Sequence, residues 1–243
     1  GSTEVLEADN IIIATGAKAR ELPGLAFNGT SVIGSREAMI LPEQPKRMVI
    51  IGAGAIGVEF AYIYNAFGTK VTLVEMLPRL VPVEDDEVGD ALKKSFTRAG
   101  IKCLTDTKVT ATEDKGDSVS VTVENAKGSE TIEGDVCLIA IGVVPVLPGG
   151  QLPQFTDRGW IQIGDRYETS TPGVFAIGDI AGPPWLAHTA MFEAMQCVEG
   201  IFVEGSEPKR VDFFPGCTYC YPEIASVGKT ERALQEDGVE YKV

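Results

Sequence analysis

The run Ile50–Ala61, IIGAGAIGVEFA, constrains this chain more than any other stretch. Gly52, Gly54 and Gly57 stand in G-x-G-x-x-G spacing. They follow the apolar run Met48–Ile51 and open a second run, Ala55–Phe67, that reads as a helix stopped by Gly68. A lone glycine triplet recurs by chance, so its context carries the weight. Here a buried strand precedes it, a helix starts inside it, and the next predicted strand, Val71–Glu75, ends in an acid. Strand, helix and parallel strand fit within about thirty residues, as a βαβ unit requires.

The glycines have separable roles in such a unit. Gly52 permits the tight turn, Gly54 lets a pyrophosphate approach the backbone, and Gly57 lets the helix lie close to the strand. Free N–H groups and the helix dipole then favour the phosphates. Glu75 lies eighteen residues past Gly57, where a carboxylate can accept from both ribose hydroxyls and repel a 2′-phosphate. The following VEMLPRL offers only Arg79 as a counter-charge, so NAD(H) is expected over NADP(H). The bland alternative is a glycine-rich turn with no ligand. Glu59 has two readings: a first-turn carboxylate that suits the helix dipole, or a charge beside the nicotinamide.

Periodicity extends the α/β reading along the chain. Ile11–Ala14 reads as a short buried strand ended by Thr15-Gly16, with a turn at Pro23-Gly24. Ser35 to Lys46 reads as a short helix and then a linker. Asp85 or Asp86 can cap a helix whose inner stripe is Val88, Leu92, Phe96 and Ala99, with Gly100 ending it. KVTATED, SVSVTVEN and ETIEGD then alternate apolar and polar residues around Gly116 and Gly128, an antiparallel meander with one wet face. VCLIAIG and VFAIGD return to continuous buried strands. Thr156–Gly164 suggests a hairpin and Ala187–Phe202 a helix. From Asp212 the chain reads as strand, turn, helix and strand. An aspartate ending a strand, as Asp179 does, usually serves a turn, yet it sits where open α/β sheets bind ligands.

Composition excludes several function classes. A formal charge of −14 without a basic patch speaks against nucleic acid or an anionic membrane surface. Glu59 and the early glycines interrupt the apolar run Met48–Phe67, which therefore reads as buried rather than membrane-spanning. The one histidine, His188, leaves no histidine-rich metal site. Gly1-Ser2 looks like a cloning remnant and is set aside; no secretory signal follows. The five cysteines, Cys103, Cys137, Cys197, Cys217 and Cys220, read as cytoplasmic thiols, mostly buried. In CTYC the pair falls on a predicted strand, where positions three apart face opposite sides and a bridge is awkward.

The ordered set IIIATGA, GAGAIGVEFA, VTLVE, LIAIG, GVFAIGD, LAH and CYPEIASVGKTE resembles the flavoprotein pyridine nucleotide–disulfide oxidoreductases. The resemblance spans nearly the whole chain and is greatest to the dihydrolipoamide dehydrogenase branch. It implies a Rossmann-like parallel sheet with an antiparallel β-meander, flanked by partial FAD-domain and interface-domain segments. The segments would be 3–41 (FAD-domain remnant), 42–147 (NAD-binding domain), 148–211 (FAD-domain return) and 212–243 (start of an interface domain). Gly52, Gly54, Ile56, Gly57 and Glu59 would line the NAD site, with Glu75 on its ribose and Val109 and Gly142 flanking adenine and nicotinamide. Thr15, Gly16 and Ala17 would pack near FAD, Asp179 would hold its ribityl chain, and Leu186, Ala187 and His188 would approach the flavin ring. The implied parent is a homodimer that takes electrons from a lipoyl-bearing protein of a 2-oxo acid dehydrogenase complex.

The departures matter as well. The family's first FAD glycine triplet, its redox pair of two cysteines separated by four residues and its catalytic His–Glu pair are not in this sequence, so no catalytic residue is assigned here. The lysine that pairs with Glu59 in relatives belongs to the same missing segment. Val143 and Val146 replace a usual arginine and asparagine, and Thr189 a common lysine. Three readings stay open: a fragment of such an enzyme that binds NAD without turnover, a mercuric-reductase-like or other NAD(P)H-disulfide reductase, and a non-catalytic dinucleotide-binding module. A split enzyme completed by a second chain is a variant of the first.

Overall fold

The computed structural model describes residues 4–21, 24, 26–210 and 213–243. Gly1-Ser2, Pro23 of the expected turn and the boundary at 211–212 lie outside the described residues. In chain order the elements are β1 (Ile11–Ile13), β2 (Ala17–Ala19), β3 (Val32–Ile33), α1 (Ser35–Ala38), β4 (Arg47–Ile51), α2 (Ala55–Ala66) and β5 (Lys70–Val74). There follow α3 (Asp86–Arg98), β6 (Lys102–Leu104), β7 (Lys108–Asp114), β8 (Val119–Asn125), β9 (Gly128–Gly134), β10 (Val136–Ile139) and β11 (Val143–Pro145). The rest are β12 (Val174–Ala176), a 3-10 turn (Gly178–Ala181), α4 (Ala187–Phe202), β13 (Gly216–Thr218), β14 (Ile224–Ser226) and α5 (Glu231–Glu236). They pack as two compact units: residues 19–142 with 215–243, and residues 1–18 with 143–214. The described residues of 26–41 and 215–243, which the sequence division placed in flanking segments, fall in the same compact unit as the parallel sheet.

The larger unit is built on a five-stranded sheet in the order β3-β10-β4-β5-β6. All its pairings are parallel, with Ile51 opposite Val74 on one side and Ile139 on the other. Strand alternation divides β4 between two cores. Met48 and Ile50 enter a core with Val58 and Ala61 of α2 and Leu92 and Phe96 of α3. Val49 and Ile51 enter a second core with Val119, Val121 and Val123 of β8. The sheet is thus covered by helices on one face and by the antiparallel meander β7-β8-β9 on the other, which explains why its strands read as unbroken apolar runs. Asp135 fixes the start of β4 beside β10: it accepts from the N–H groups of Lys46 and Arg47 at 2.8 and 2.9 Å and pairs with the Arg47 guanidinium.

Four local expectations are corrected. Ala99 is exposed; the inner stripe of α3 ends at Phe96, and Gly89, one turn before Leu92, is buried where Val88 is only partly so. β1 is not buried: Ile11 and Ile12 are 52% and 37% exposed, because among the described residues β12 is the one strand that pairs with it. The expected hairpin at 156–164 is reduced to a single bridge, Phe155 to Ile161, closed by a tight turn in which Thr156 donates to Trp160. The final strand after α5 does not form; residues 239–243 have no regular structure, for no neighbouring strand edge receives them among the described residues.

The C-terminal part of the larger unit is tied down by specific bonds. Cys220 and Ile224 enter the helix-side core, Asp85 accepts from Glu231 N–H at 2.8 Å, and Arg232 pairs with Asp86 at 2.8 Å. The smaller unit has thinner cores, one around Ile161, Ala176 and Ile180 and one around Tyr167, Ile177 and Cys197.

Phe96, 1% exposed, joins α3 to the sheet. Phe96→Ala should lower stability by about 3–5 kcal/mol in denaturant titration. Burial raises the Asp135 carboxyl, but hydrogen bonds from Arg47 and Lys46 outweigh it and hold it below its ordinary range. A carboxylate depressed on folding stabilises above its unfolded pKa of about 3.9 and loses that contribution as pH falls through the folded value. Asp135→Asn should therefore destabilise the protein near neutrality, with the difference from wild type closing below about pH 4 in melts run across pH.

Candidate functional site

The glycine bend lies at the carboxyl end of β4, between the ends of β10 and β5. Gly52 has φ +99°, and a Cβ there would stand 2.4 Å from the Ala140 carbonyl oxygen. A Cβ on Gly57 would stand 1.8 Å from the Gly52 carbonyl oxygen. Both positions are forced by protein packing. Gly54 is different. It is the N-cap of α2 with extended backbone, and a Cβ there would meet nothing within 4 Å. The one glycine that the protein's own atoms do not require faces open space, where a phosphate would approach the helix N-terminus.

Glu75 follows β5 directly and is 8% exposed. Its Oε2 accepts from Ala53 N–H at 2.7 Å and its Oε1 from Leu77 N–H at 2.9 Å. The acid therefore sits against the bend, and each oxygen retains a second acceptor direction. A further bond escaped the sequence reading: Ala53 accepts from Val81 N–H at 2.7 Å. Val81 has φ +44°, a costly conformation for a β-branched residue. No pattern in MLPRLVPV signals that geometry. Strained backbone held by a tertiary bond is visible only in three dimensions.

The remaining expected NAD residues are placed as follows. Ile56 packs, half-buried, toward the helix-side core, and Val109 toward the meander-side core at a bulge in β7. Gly142 has φ +101°, a Cβ there would meet nothing within 4 Å, and its carbonyl accepts from Arg20 N–H at 3.0 Å. Glu59 requires a correction. It is the fifth residue of α2, in the second turn, so it lies past the amides on which a dipole argument depends. Its Oε1 instead accepts from Tyr219 N–H at 2.8 Å, tying α2 to β13. Arg79 is engaged with α3, at 3.2 Å from Asp86 and 3.6 Å from Asp90.

The two flavin-type phrases meet in the smaller unit. β1 and β12 pair in parallel with Ile13 opposite Ala176, so Thr15-Gly16 and Gly178-Asp179 leave the same edge. Thr15 is exposed, Gly16 has φ +73°, and Ala17 begins β2. Burial raises the Asp179 carboxyl above its usual range. Burial also raises Glu193, against the Gly178 N–H bond it accepts at 2.6 Å. Leu186 is the N-cap of α4 and Ala187 its first residue; exposed His188 meets the ring of Phe214 edge-on at 6.1 Å. Thr189 is 1% exposed, and its hydroxyl has no hydrogen-bond partner among the described residues. An orphaned hydroxyl and two half-buried carboxyls near one strand end suit a ligand rich in hydroxyl and amide groups, as FAD is.

The thiols take no part in either arrangement. Burial pushes Cys137 up to about 12 and Cys103 up to about 11. Cys220 is pushed to about 11, by burial and then by Glu59 and Glu223. Such thiols stay protonated and unreactive. Cys217 is exposed and Cys220 buried, and both are free. Among the described residues no three His, Cys, Asp or Glu side chains gather as a metal site, and no helix is long and apolar enough to cross a membrane.

Residues 1–194 match the family described as pyridine nucleotide-disulphide oxidoreductase. The dihydrolipoyl dehydrogenase of Chlorobaculum tepidum is 42% identical over 248 residues, which cover 100% of this chain and 53% of that protein. The mitochondrial dihydrolipoyl dehydrogenase of Pisum sativum is 39% identical over 251 residues, covering 100% of this chain and 50% of its own length. Among solved structures, LpdA from Mycobacterium tuberculosis superposes with a TM-score of 0.87 at 28% identity, over 98% of this chain and 52% of that one. The chain thus spans about half the length of the relatives it matches.

The glycines give a clean test of these roles. Gly57→Ala should cost about 1–3 kcal/mol of stability or more, since two backbones must part. Gly54→Ala should leave the thermal midpoint within about 1 °C of wild type, as a change touching nothing within the protein should, while weakening NADH binding at least tenfold in a fluorescence titration.

Proposed function

The chain belongs to the pyridine nucleotide-disulphide oxidoreductase family, and from that premise we propose that it is the NAD-binding portion of an FAD-dependent dihydrolipoamide dehydrogenase. In the parent reaction a protein-bound dihydrolipoyl dithiol loses two electrons and two protons and becomes a disulfide. NAD+ takes both electrons and one proton as hydride. FAD, when bound, supplies the two-electron relay between a cysteine pair and the nicotinamide. The observation that carries the dinucleotide assignment is Glu75, held at the bend by Ala53 N–H while open space faces Gly54.

This chain's own residues bind and orient. Gly52 and Gly57 bring α2 against β4, and Gly54 leaves room for the pyrophosphate. Glu75 receives the ribose hydroxyls and repels a 2′-phosphate. Ile56, Glu59, Val109 and Gly142 are assigned to the remaining NAD surface. Thr15, Gly16, Ala17, Asp179, Leu186, Ala187 and His188 are assigned to FAD. No two cysteines of the sequence are separated by four residues, so these residues by themselves do not supply the parent's disulfide exchange. The lipoyl-bearing partner and the homodimer belong to the parent. Its thiols suit a reducing compartment, and cytoplasm is our reading, although plant relatives are named mitochondrial.

Paired titrations of this chain with NADH and NADPH test the assignment. NADH should bind more tightly. Glu75→Ala should narrow the preference about tenfold or more, the scale of hydrogen bonds to a charged group. Glu75→Gln, which can still accept from Ala53, should keep the fold and lose part of the preference. Equal wild-type affinity for both nucleotides would remove the assignment.

A further inference from the structure

We propose that Asp86 and Asp90 are specificity-determining residues that act through Arg79: they hold a latent 2′-phosphate ligand away from the ribose end of the site. The inference rests on the dinucleotide reading and deepens it. Arg79 is the one cation in the loop from Met76 to Asp85. That loop is fastened to the bend at two points. Leu77 N–H donates to Glu75 at 2.9 Å, and Val81 N–H donates to the Ala53 carbonyl at 2.7 Å. Arg79 lies two residues from each fastening, at most about 7 Å of chain. An arginine side chain spans a similar distance, which puts the Glu75 end of the site on the scale of its reach. A guanidinium there is the group that accommodates a 2′-phosphate.

The side chain points elsewhere because α3 holds it. Nη1 lies 3.2 Å from Asp86, and Nε lies 3.6 Å from Asp90. Nε is shut off from solvent and makes no hydrogen bond among the described residues, so Asp90 attracts it through charge alone. Gly89 brings the helix backbone against the stem: a Cβ there would sit 2.5 Å from the Leu80 carbonyl oxygen and 3.3 Å from Arg79 Cβ. The two acids are about half exposed, so the restraint is modest and a competing anion could break it. Cofactor choice then has two parts. Glu75 repels the extra phosphate, and the α3 acids withhold the cation that would offset that repulsion.

The test uses this chain and four proteins: wild type, Asp86→Asn/Asp90→Asn, the same pair with Arg79→Ala, and Asp90→Asn alone. NADH and NADPH affinities are measured for each at low and high salt. The double variant should shift the NADPH-to-NADH affinity ratio about three- to tenfold toward NADPH, the scale expected of two exposed ion pairs. Adding Arg79→Ala should abolish the gain, and salt should shrink it. Asp90→Asn, which leaves the Arg232 pair with Asp86 intact, should give a smaller shift in the same direction and covers the case in which the double variant does not fold. An unchanged ratio would overturn the inference, as would a gain that survives loss of Arg79, since that would reflect net charge alone. Wild type that binds neither nucleotide would instead remove the dinucleotide reading beneath it.

Discussion

The carbonyl oxygen of Gly52 stands 1.8 Å from where a side chain on residue 57 would begin, and the rest of the site depends on that approach. It lets α2 start directly against the end of β4. The Ala140 carbonyl presses on Gly52 from β10 in the same manner. Three backbone segments thus converge with no side chain between them. Such a bend is held open by the packing of the sheet and does not wait for a ligand, which lowers the ordering cost of binding. Ala53, at its centre, has both backbone groups engaged by one loop: its N–H by Glu75 and its carbonyl by Val81. The acid and the bend are therefore one rigid object.

Much of this was legible in the residues. Glycine spacing, the strand before it and the acid after it describe local backbone chemistry, and local chemistry survives in a one-dimensional string. The parallel sheet was legible because β4, β5 and β10 are covered on both faces and so have no polar period. The meander was legible for the opposite reason, since β8 alternates. What was not legible depends on partners far along the chain. Glu59 reads as either a helix-end acid or a charge beside the nicotinamide, and neither reading contains the bond its Oε1 accepts from Tyr219, 160 residues away. Ile11 and Ile12 look like core residues, yet a single neighbouring strand cannot bury them. Ala99 keeps the helical period, but α3 has reached its C-cap there and the sheet no longer lies beneath it.

The C-terminal residues illustrate how little regular structure is needed to fasten a segment. β13 and β14 form a three-residue pairing and α5 has six residues, none of them buried. Their attachment comes from two apolar anchors, Cys220 and Ile224, and from acids that accept N–H groups: Glu59 for Tyr219 and Asp85 for Glu231. Thr230 caps α5 through its own hydroxyl. These are side chain to backbone bonds, which fix a segment's register more sharply than apolar contact does. The helices that carry the dinucleotide bend and its acidic loop thereby acquire a second set of restraints.

The two compact units differ in how their ligand phrases are supported. In the larger one, the bend ends a strand flanked on both sides and covered on both faces, so moving it would disturb two cores at once. In the smaller one, Thr15-Gly16 and Gly178-Asp179 end a two-stranded ladder in which, among the described residues, β12 has only a single bridge to Glu168 on its far side and β1 has no second strand. Unpaired edges and exposed isoleucines are features that a sheet tolerates poorly without further strands. The half-buried carboxyls of Asp179 and Glu193 and the orphaned Thr189 hydroxyl add polar cost with few compensating bonds. On the proposed assignments, a dinucleotide meets a site built in advance and a flavin one that its ligand must help to complete. Affinity in the first is set by the bend's own geometry. In the second, part of the binding free energy goes into ordering the phrases that receive it.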